Sequence, residues 1–154
     1  CMIFSRDGTL LAAGYDHDIV VVWDTETGTP VQSYSTSPSS ANSIRFLENN
    51  RSIIVELYDS LKIFSLDSGN LIKSLEDGSY HVGFDVSPVS DVIVTIPRTS
   101  WLNKINLYTP NGVLIKSIHT PYRNNSHVRF SPDGTMLAIS LTGSIQIWGI
   151  EPNQ

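Results

Sequence analysis

Phe130-Ser131-Pro132-Asp133-Gly134-Thr135-Met136-Leu137-Ala138 and Phe4-Ser5-Arg6-Asp7-Gly8-Thr9-Leu10-Leu11-Ala12 are two copies of one phrase. Each has an aromatic lead, a serine-led turn closing on Asp-Gly, and an apolar run. Looser copies lie between them, at Phe46-Leu47-Glu48-Asn49-Asn50-Arg51-Ser52-Ile53 and at Val86-Ser87-Pro88-Val89-Ser90-Asp91-Val92-Ile93. The leads Phe4, Phe46, Val86 and Phe130 are 42, 40 and 44 residues apart. A near-constant period of that size marks a chain built from one recurring supersecondary unit.

Two further landmarks keep the same order in each unit. An alternating stretch ends on an aromatic residue in Val21-Val22-Trp23, Lys62-Ile63-Phe64, Asn106-Leu107-Tyr108 and Gln146-Ile147-Trp148, at 19, 18, 22 and 18 residues from its lead. In three units a glycine turn follows (Thr27-Gly28, Ser68-Gly69, Asn111-Gly112) and runs into another short apolar stretch. Period-2 alternation bounded by turn residues predicts strands joined by hairpins. Inner strands are expected near 1–4, 43–47, 81–86 and 126–131, and second strands near 9–14, 52–57, 91–96 and 135–140. Third strands end on the aromatics, and fourth strands fall near 30–35, 70–75 and 113–118. The last unit stops after its third strand, so the inventory is about fifteen strands, in repeats spanning approximately 1–35, 42–76, 80–118 and 125–150 of a single 1–154 segment.

Composition agrees. The 154 residues include 39 β-branched ones (16 Ile, 12 Val, 11 Thr) against four alanines, which favours pleated surfaces and rules out a helical bundle. Hydrophobic residues make up 40% of the chain, enough for a core, and charged residues only 16%, which leaves a neutral-polar surface. The net charge of −5 argues against a nucleic-acid partner, whose phosphates need clustered cations. No apolar run approaches the ~18 residues of a bilayer span, so no membrane partner is expected. The single cysteine, Cys1, excludes an internal disulfide and a cysteine-rich zinc site. Cys1-Met2-Ile3-Phe4 leads directly into a strand, which reads as a cut or processed end rather than a lipid-carrying spacer.

Together, the Phe-Ser-Pro-Asp-Gly turn, the Val-Val-Trp-Asp or Ile-Gln-Ile-Trp strand and the Thr-Gly turn, at this period, resemble the WD40 repeat. The resemblance covers nearly the whole chain; it is specific in the first and fourth units and degenerate in the middle two. It implies an all-β propeller of four antiparallel four-stranded blades, the last incomplete, forming a partial or open ring. The chain departs from the family pattern in having no Gly-His pair before the inner strands, and Asp16 or Asp18, Asp59, Asn103 and Thr142 only approximate the family's turn aspartate. An open ring leaves two apolar blade faces uncovered. The chain is therefore expected to be part of a larger propeller, or one half of a ring completed by a second chain.

Catalytic patterns are lacking in the sequence. There is no Gly-x-Ser-x-Gly elbow and no phosphate-cradling glycine string. His17, His81, His119 and His127 have no metal-ligand spacing. Asp7 and Asp133 read as turn chemistry, in which a short carboxylate bonds local backbone. Ser37-Pro38, in the polar stretch 35–42, could accept a regulatory phosphate, although a flexible blade-to-blade connector explains the composition better. No cofactor and no metal are expected.

The function these readings favour is a non-catalytic scaffold for protein–protein contacts, located in the cytoplasm, with self-association as a way to complete the ring. The alternatives are an enzymatic propeller of the metal-dependent hydrolase or lactonase type, and an architectural half-ring completing another chain's propeller. The partner-binding candidates are Arg98 and Trp101, in an insertion of about three residues between strands, with Tyr15, His17 and Tyr58 at the corresponding hairpins. Trp and Arg are the types enriched at interface anchors, although Trp101 could equally cap its own blade. Trp23, Phe64, Tyr108 and Trp148 are expected at equivalent positions, packed between sheets.

Overall fold

The computed structural model describes residues 1–15, 18–47, 50–75, 81–97, 104–120, 127–141 and 143–150. Among these residues there are fifteen β-strands and no α-helix. Blade 1 is β1 (Met2–Phe4), β2 (Leu10–Tyr15), β3 (Ile19–Asp24) and β4 (Pro30–Ser35). Blade 2 is β5 (Ser43–Leu47), β6 (Ser52–Glu56), β7 (Leu61–Ser65) and β8 (Leu71–Leu75). Blade 3 is β9 (His81–Val86), β10 (Ile93–Pro97), β11 (Lys104–Tyr108) and β12 (Leu114–His119). Blade 4 is β13 (His127–Phe130), β14 (Met136–Leu141) and β15 (Ser144–Gly149). Each blade is an antiparallel meander in chain order, of four strands in the first three and three in the last.

One register explains the repeat. Phe4 lies opposite Leu11, which lies opposite Trp23. The same row is Phe46, Ile53 and Phe64 in blade 2, Val86, Ile93 and Tyr108 in blade 3, and Phe130, Leu137 and Trp148 in blade 4. Residues directly opposite share a face of the sheet, and their immediate neighbours point to the other. The face carrying this row is termed the leading face and its reverse the trailing face.

Turn chemistry holds the first two strands of blades 1 and 4 together. Asp7 Oδ1 accepts the Ser5 hydroxyl at 2.7 Å, the Thr9 N–H at 3.0 Å and the Thr9 hydroxyl at 2.8 Å. Asp133 accepts the same three donors from Ser131 and Thr135. Ser5 and Ser131 in turn each accept a backbone N–H, from Leu10 and Met136, at 2.9 Å. Gly8 and Gly134 close these turns at φ +75 and +70, the left-handed region that glycine enters without a Cβ penalty. Both carboxylates are stabilised in their charged form, so both titrate below the ordinary aspartate range.

The structure divides into two compact units, 1–76 and 77–154. In the first, Ala12, Val20, Val22 and Tyr34 from the trailing face of blade 1 pack against Ile44, Ile53, Val55, Leu57 and Phe64 from the leading face of blade 2. In the second, Val94, Ile96 and Ile105 of blade 3 pack against Val128, Leu137 and Ile139 of blade 4. β-Branched and leucine side chains dominate both joints, each worth about 1.5–3 kcal/mol when buried, and the first adds Ala12 and the rings of Tyr34 and Phe64.

Candidate protein-docking surface

The joint between blades 1 and 2 shows what a leading face is for. Tyr34 and Phe64 meet with ring centroids 4.8 Å apart and a 40° tilt, within the range of favourable aromatic pairs. The Tyr34 hydroxyl donates to the Ser65 carbonyl at 3.0 Å, so its polar end is satisfied inside the joint. Burial, and secondarily the charge on Asp67, push the Tyr34 phenol above its ordinary pKa. In the second unit the matching joint has polar staples. The Phe130 N–H donates to Asp85 Oδ2 at 2.9 Å, and Arg129 Nη1 donates to the Phe84 carbonyl at 3.0 Å.

Blade 1 has a leading face of its own. By register, Met2, Phe4, Leu11, Ala13, Tyr15 and Trp23 correspond to Ile44, Phe46, Ile53, Val55, Leu57 and Phe64 of blade 2. These six line a shallow groove of about 500 Å³, with Asp24, Thr25 and Gly28 at its edge. Met2 is 71% exposed and Phe4 61%, whereas Ile44 is 2% exposed. The Trp23 ring meets Tyr15 edge-on, with centroids 6.0 Å apart and a 65° angle. The groove therefore has the side chains of a blade joint and no second blade among the described residues of its unit.

Of the residues the sequence singled out for binding, Tyr15 and Tyr58 are described and both are exposed. Tyr15 ends β2 and lines the groove, while Tyr58 sits in the hairpin between β6 and β7. His17, Arg98 and Trp101 lie outside the described residues, as do Asp16, Asn103 and Thr142. The four blade aromatics share the register position given above, and their burial differs. Phe64 and Tyr108 are buried, and Trp148 is half-buried against the joint of the second unit. Trp23 departs from the expected packing between sheets: it is half-buried and lines the groove, because no neighbouring sheet of its unit covers that face. Sequence reading marked Phe4 as a repeat lead and did not offer Met2, Phe4, Leu11 or Ala13 as binding residues. Aligning the four repeats residue by residue would have marked them as joint positions.

Among the described residues no group of three or more His, Cys, Asp or Glu could hold a metal ion, and no helix is long and apolar enough to cross a membrane. No protein-family model and no curated protein matches the sequence. Solved structures do match. A chain in the crystal structure of the Mitotic Checkpoint Complex superposes with a TM-score of 0.75 at 16% identity, over 97% of this chain and 48% of that one. The β-propeller domain of Myceliophteria thermophila Cps50 (Swd1) gives 0.77 at 15% identity, over 97% and 53%. The fold is that of β-propeller blades. The chain spans about half the length of the chains it matches. At such identities the likeness carries the fold alone, and function must be argued from the site.

Proposed function

We propose that this chain is a non-catalytic WD40-type scaffold for protein–protein contacts, acting in the cytoplasm as part of a larger propeller or multiprotein assembly. The observation that supports this reading is the uncovered leading face of blade 1. It carries an apolar row in the register that blade 2 uses to bury itself on blade 1. A contiguous apolar face of that kind on a protein in water marks an interaction site. Its complement is a sheet face with small and branched residues, like the trailing face of blade 1. Tyr15 extends this face at the end of β2, and His17, Tyr58, Arg98 and Trp101 stay binding candidates on the ground of the sequence alone. The appearance of one structural neighbour within a multiprotein complex is in keeping with this role.

Sedimentation tests the reading. The 154-residue chain should run as a dimer or larger particle, and Phe4→Glu should move it toward 17.0 kDa because a buried carboxylate would be unpaired in the contact. A compact wild-type particle of 17.0 kDa that binds no hydrophobic dye would contradict it.

A further inference from the structure

The chain has four lysines, Lys62, Lys73, Lys104 and Lys116, and the fold puts all of them in one kind of place. They lie on the third and fourth strands of blades 2 and 3, one each on β7, β8, β11 and β12. These four strands hold no Asp or Glu, although Asp+Glu outnumber Lys+Arg by 15 to 10 in the chain. The bias is strongest around blade 3. Between Asp91 and Asp133 the sequence has five Lys+Arg and no carboxylate. No ion pair or hydrogen bond ties any of the four lysine side chains to a described residue.

β8 and β12 are the outer strands of four-stranded sheets, and they share Leu-Ile-Lys-Ser, at 71–74 and 114–117. In each the pairing slips beside the aromatic. Leu71 lies opposite Phe64 and Lys73 opposite Ile63, and likewise Leu114 opposite Tyr108 and Lys116 opposite Leu107. Ile72 and Ile115 are the extra residues of these bulges, and a bulge re-aims the side chain it carries. The edge of β12 is the more apolar, with Val113 59%, Leu114 52% and Ile115 53% exposed. Lys116 is exposed next to them, and Lys104 lies opposite His119 at the far end of the strand pair. On β8 the place of Val113 is taken by Asn70, and exposed Asp67 stands in the hairpin before it. Lysine on an edge strand also discourages edge-to-edge pairing. That role explains neither the three aliphatic side chains nor the clearance of carboxylates.

We propose that the β11–β12 edge of blade 3 docks an acidic segment of a partner protein, one that carries Asp or Glu among Leu, Ile or Val. Its carboxylates meet Lys116 and Lys104, and its aliphatic side chains cover Val113, Leu114 and Ile115. Opposite charge steers the encounter, and burial of the aliphatic side chains holds the contact. An anionic membrane fits less well, because such surfaces are read by clusters of about four to eight Lys/Arg, and β11 and β12 carry two. The inference rests on the scaffold reading only in that the occupant is a protein; its residues are not those of the groove on blade 1.

The test titrates a short labelled peptide in which Glu and Ile alternate into the intact chain at low salt. Saturation by about 1 mM is expected, with chemical-shift changes at residues 113–116. Lys104→Gln and Lys116→Gln should each weaken binding about threefold, and together about tenfold, as exposed ion pairs do. Raising salt to about 1 M should weaken the parent by a similar factor and leave the double variant nearly unaffected. A peptide with Ser in place of Ile should bind at least about fivefold more weakly. Phe4→Glu should change nothing, and a monomeric wild-type chain that still binds the peptide would sink the groove reading and leave this one standing. No saturation, shift changes at the groove in place of β12, or a double variant that binds normally overturns the proposal. So does a Ser peptide that binds as well as its parent, which would mean unselective attraction of anions. Mixed phosphatidylcholine–phosphatidylserine vesicles are the remaining arm: lysine-dependent binding to them in preference to the peptide makes a membrane the occupant and likewise overturns it. Should the lysine variants fail to fold, Gln in place of Glu in the peptide gives the same contrast.

Discussion

Two leading faces in the first unit carry one pattern and have opposite fates. On blade 2 the row Phe46, Ile53, Phe64 is packed on blade 1, and on blade 1 the row Phe4, Leu11, Trp23 lines an open groove. Local sequence therefore sets the shape of a face, and its neighbour sets whether that face is core or surface. The same side chain chemistry contributes to stability in one place and is available for association in the other. This is the physical content of a repeat protein, whose energy is the sum of intrinsic units and nearest-neighbour joints.

The sharpest way to break the comparison is to truncate the two aromatics at the shared position. Phe64→Ala removes a ring buried in the joint and should cost about 3–5 kcal/mol. Trp23→Ala removes a larger ring from a half-open groove and should cost about 1 kcal/mol, the size typical of an ordinary point change. Denaturant titration of both variants in a Phe4→Glu background, where the proposed contact is broken, measures the difference. Equal losses would mean that the face of blade 1 is covered in solution as fully as that of blade 2.

Tyr34 probes the joint from the other side. Tyr34→Phe leaves the Ser65 carbonyl without the hydroxyl that donates to it at 3.0 Å, and should cost about 1 kcal/mol. It should also alter the alkaline limb. The folded phenol titrates above its ordinary value because burial disfavours the phenolate. A raised folded pKa contributes stability that is fully present below the unfolded pKa of about 10 and is lost as pH rises beyond it. Wild type should lose stability above that pH more steeply than Tyr34→Phe. Parallel alkaline limbs would show that Tyr34 does not ionise on unfolding.

Thr95 stands on the leading face of blade 3, where blade 1 has Ala13, blade 2 has Val55 and blade 4 has Ile139. Its hydroxyl is fully buried and has no hydrogen-bond partner among the described residues, a group whose desolvation is uncompensated. Thr95→Val, which installs the residue blade 2 uses, should raise stability by up to about 1 kcal/mol. A loss of that size in thermal or denaturant unfolding would mean that the hydroxyl finds a partner in solution.

Much of this architecture was legible in the residues. The fourth strand expected at 30–35 is Pro30–Ser35, and the inner strand expected at 43–47 is Ser43–Leu47. Both follow from alternation between strong turn signals. The second strand of blade 3 was expected from 91 and starts at Ile93. Asp91 sits at φ +53 in a turn closed by Ser87 N–H donating to the Val92 carbonyl at 2.9 Å, so the chain cannot extend earlier. Trp23 and Phe64 carry the same local signature, and only the neighbouring blade distinguishes them. The lysine-bearing edge was hidden for a related reason. Lys104 and Lys116 are unremarked in the sequence until strand pairing sets them on the outer two strands of one blade.

The smallest expected effect compares the two serine-aspartate turns. Asp133 is pushed down to about 2, chiefly by the Ser131 hydroxyl and then by the Thr135 N–H and hydroxyl. Asp7 has equivalent donors and one more, because Asn50 Nδ2 from the second blade donates to its Oδ2 at 2.8 Å. Its carboxyl is accordingly lowered further. For both, the depressed folded pKa means a contribution present above the unfolded value of about 3.9. That contribution is lost as pH falls through about 2 for Asp133 and at still lower pH for Asp7. Because both carboxylates are solvent-exposed, the consequence for stability is small and the titration itself is the better observable. Carboxyl chemical shifts followed from pH 6 downward should place Asp7 below Asp133. Asn50→Ala should move Asp7 up toward Asp133 and leave Asp133 where it was. If Asp7 does not respond, the contact between the first turn and the second blade is absent in solution, and the two turns are isolated copies of one local motif.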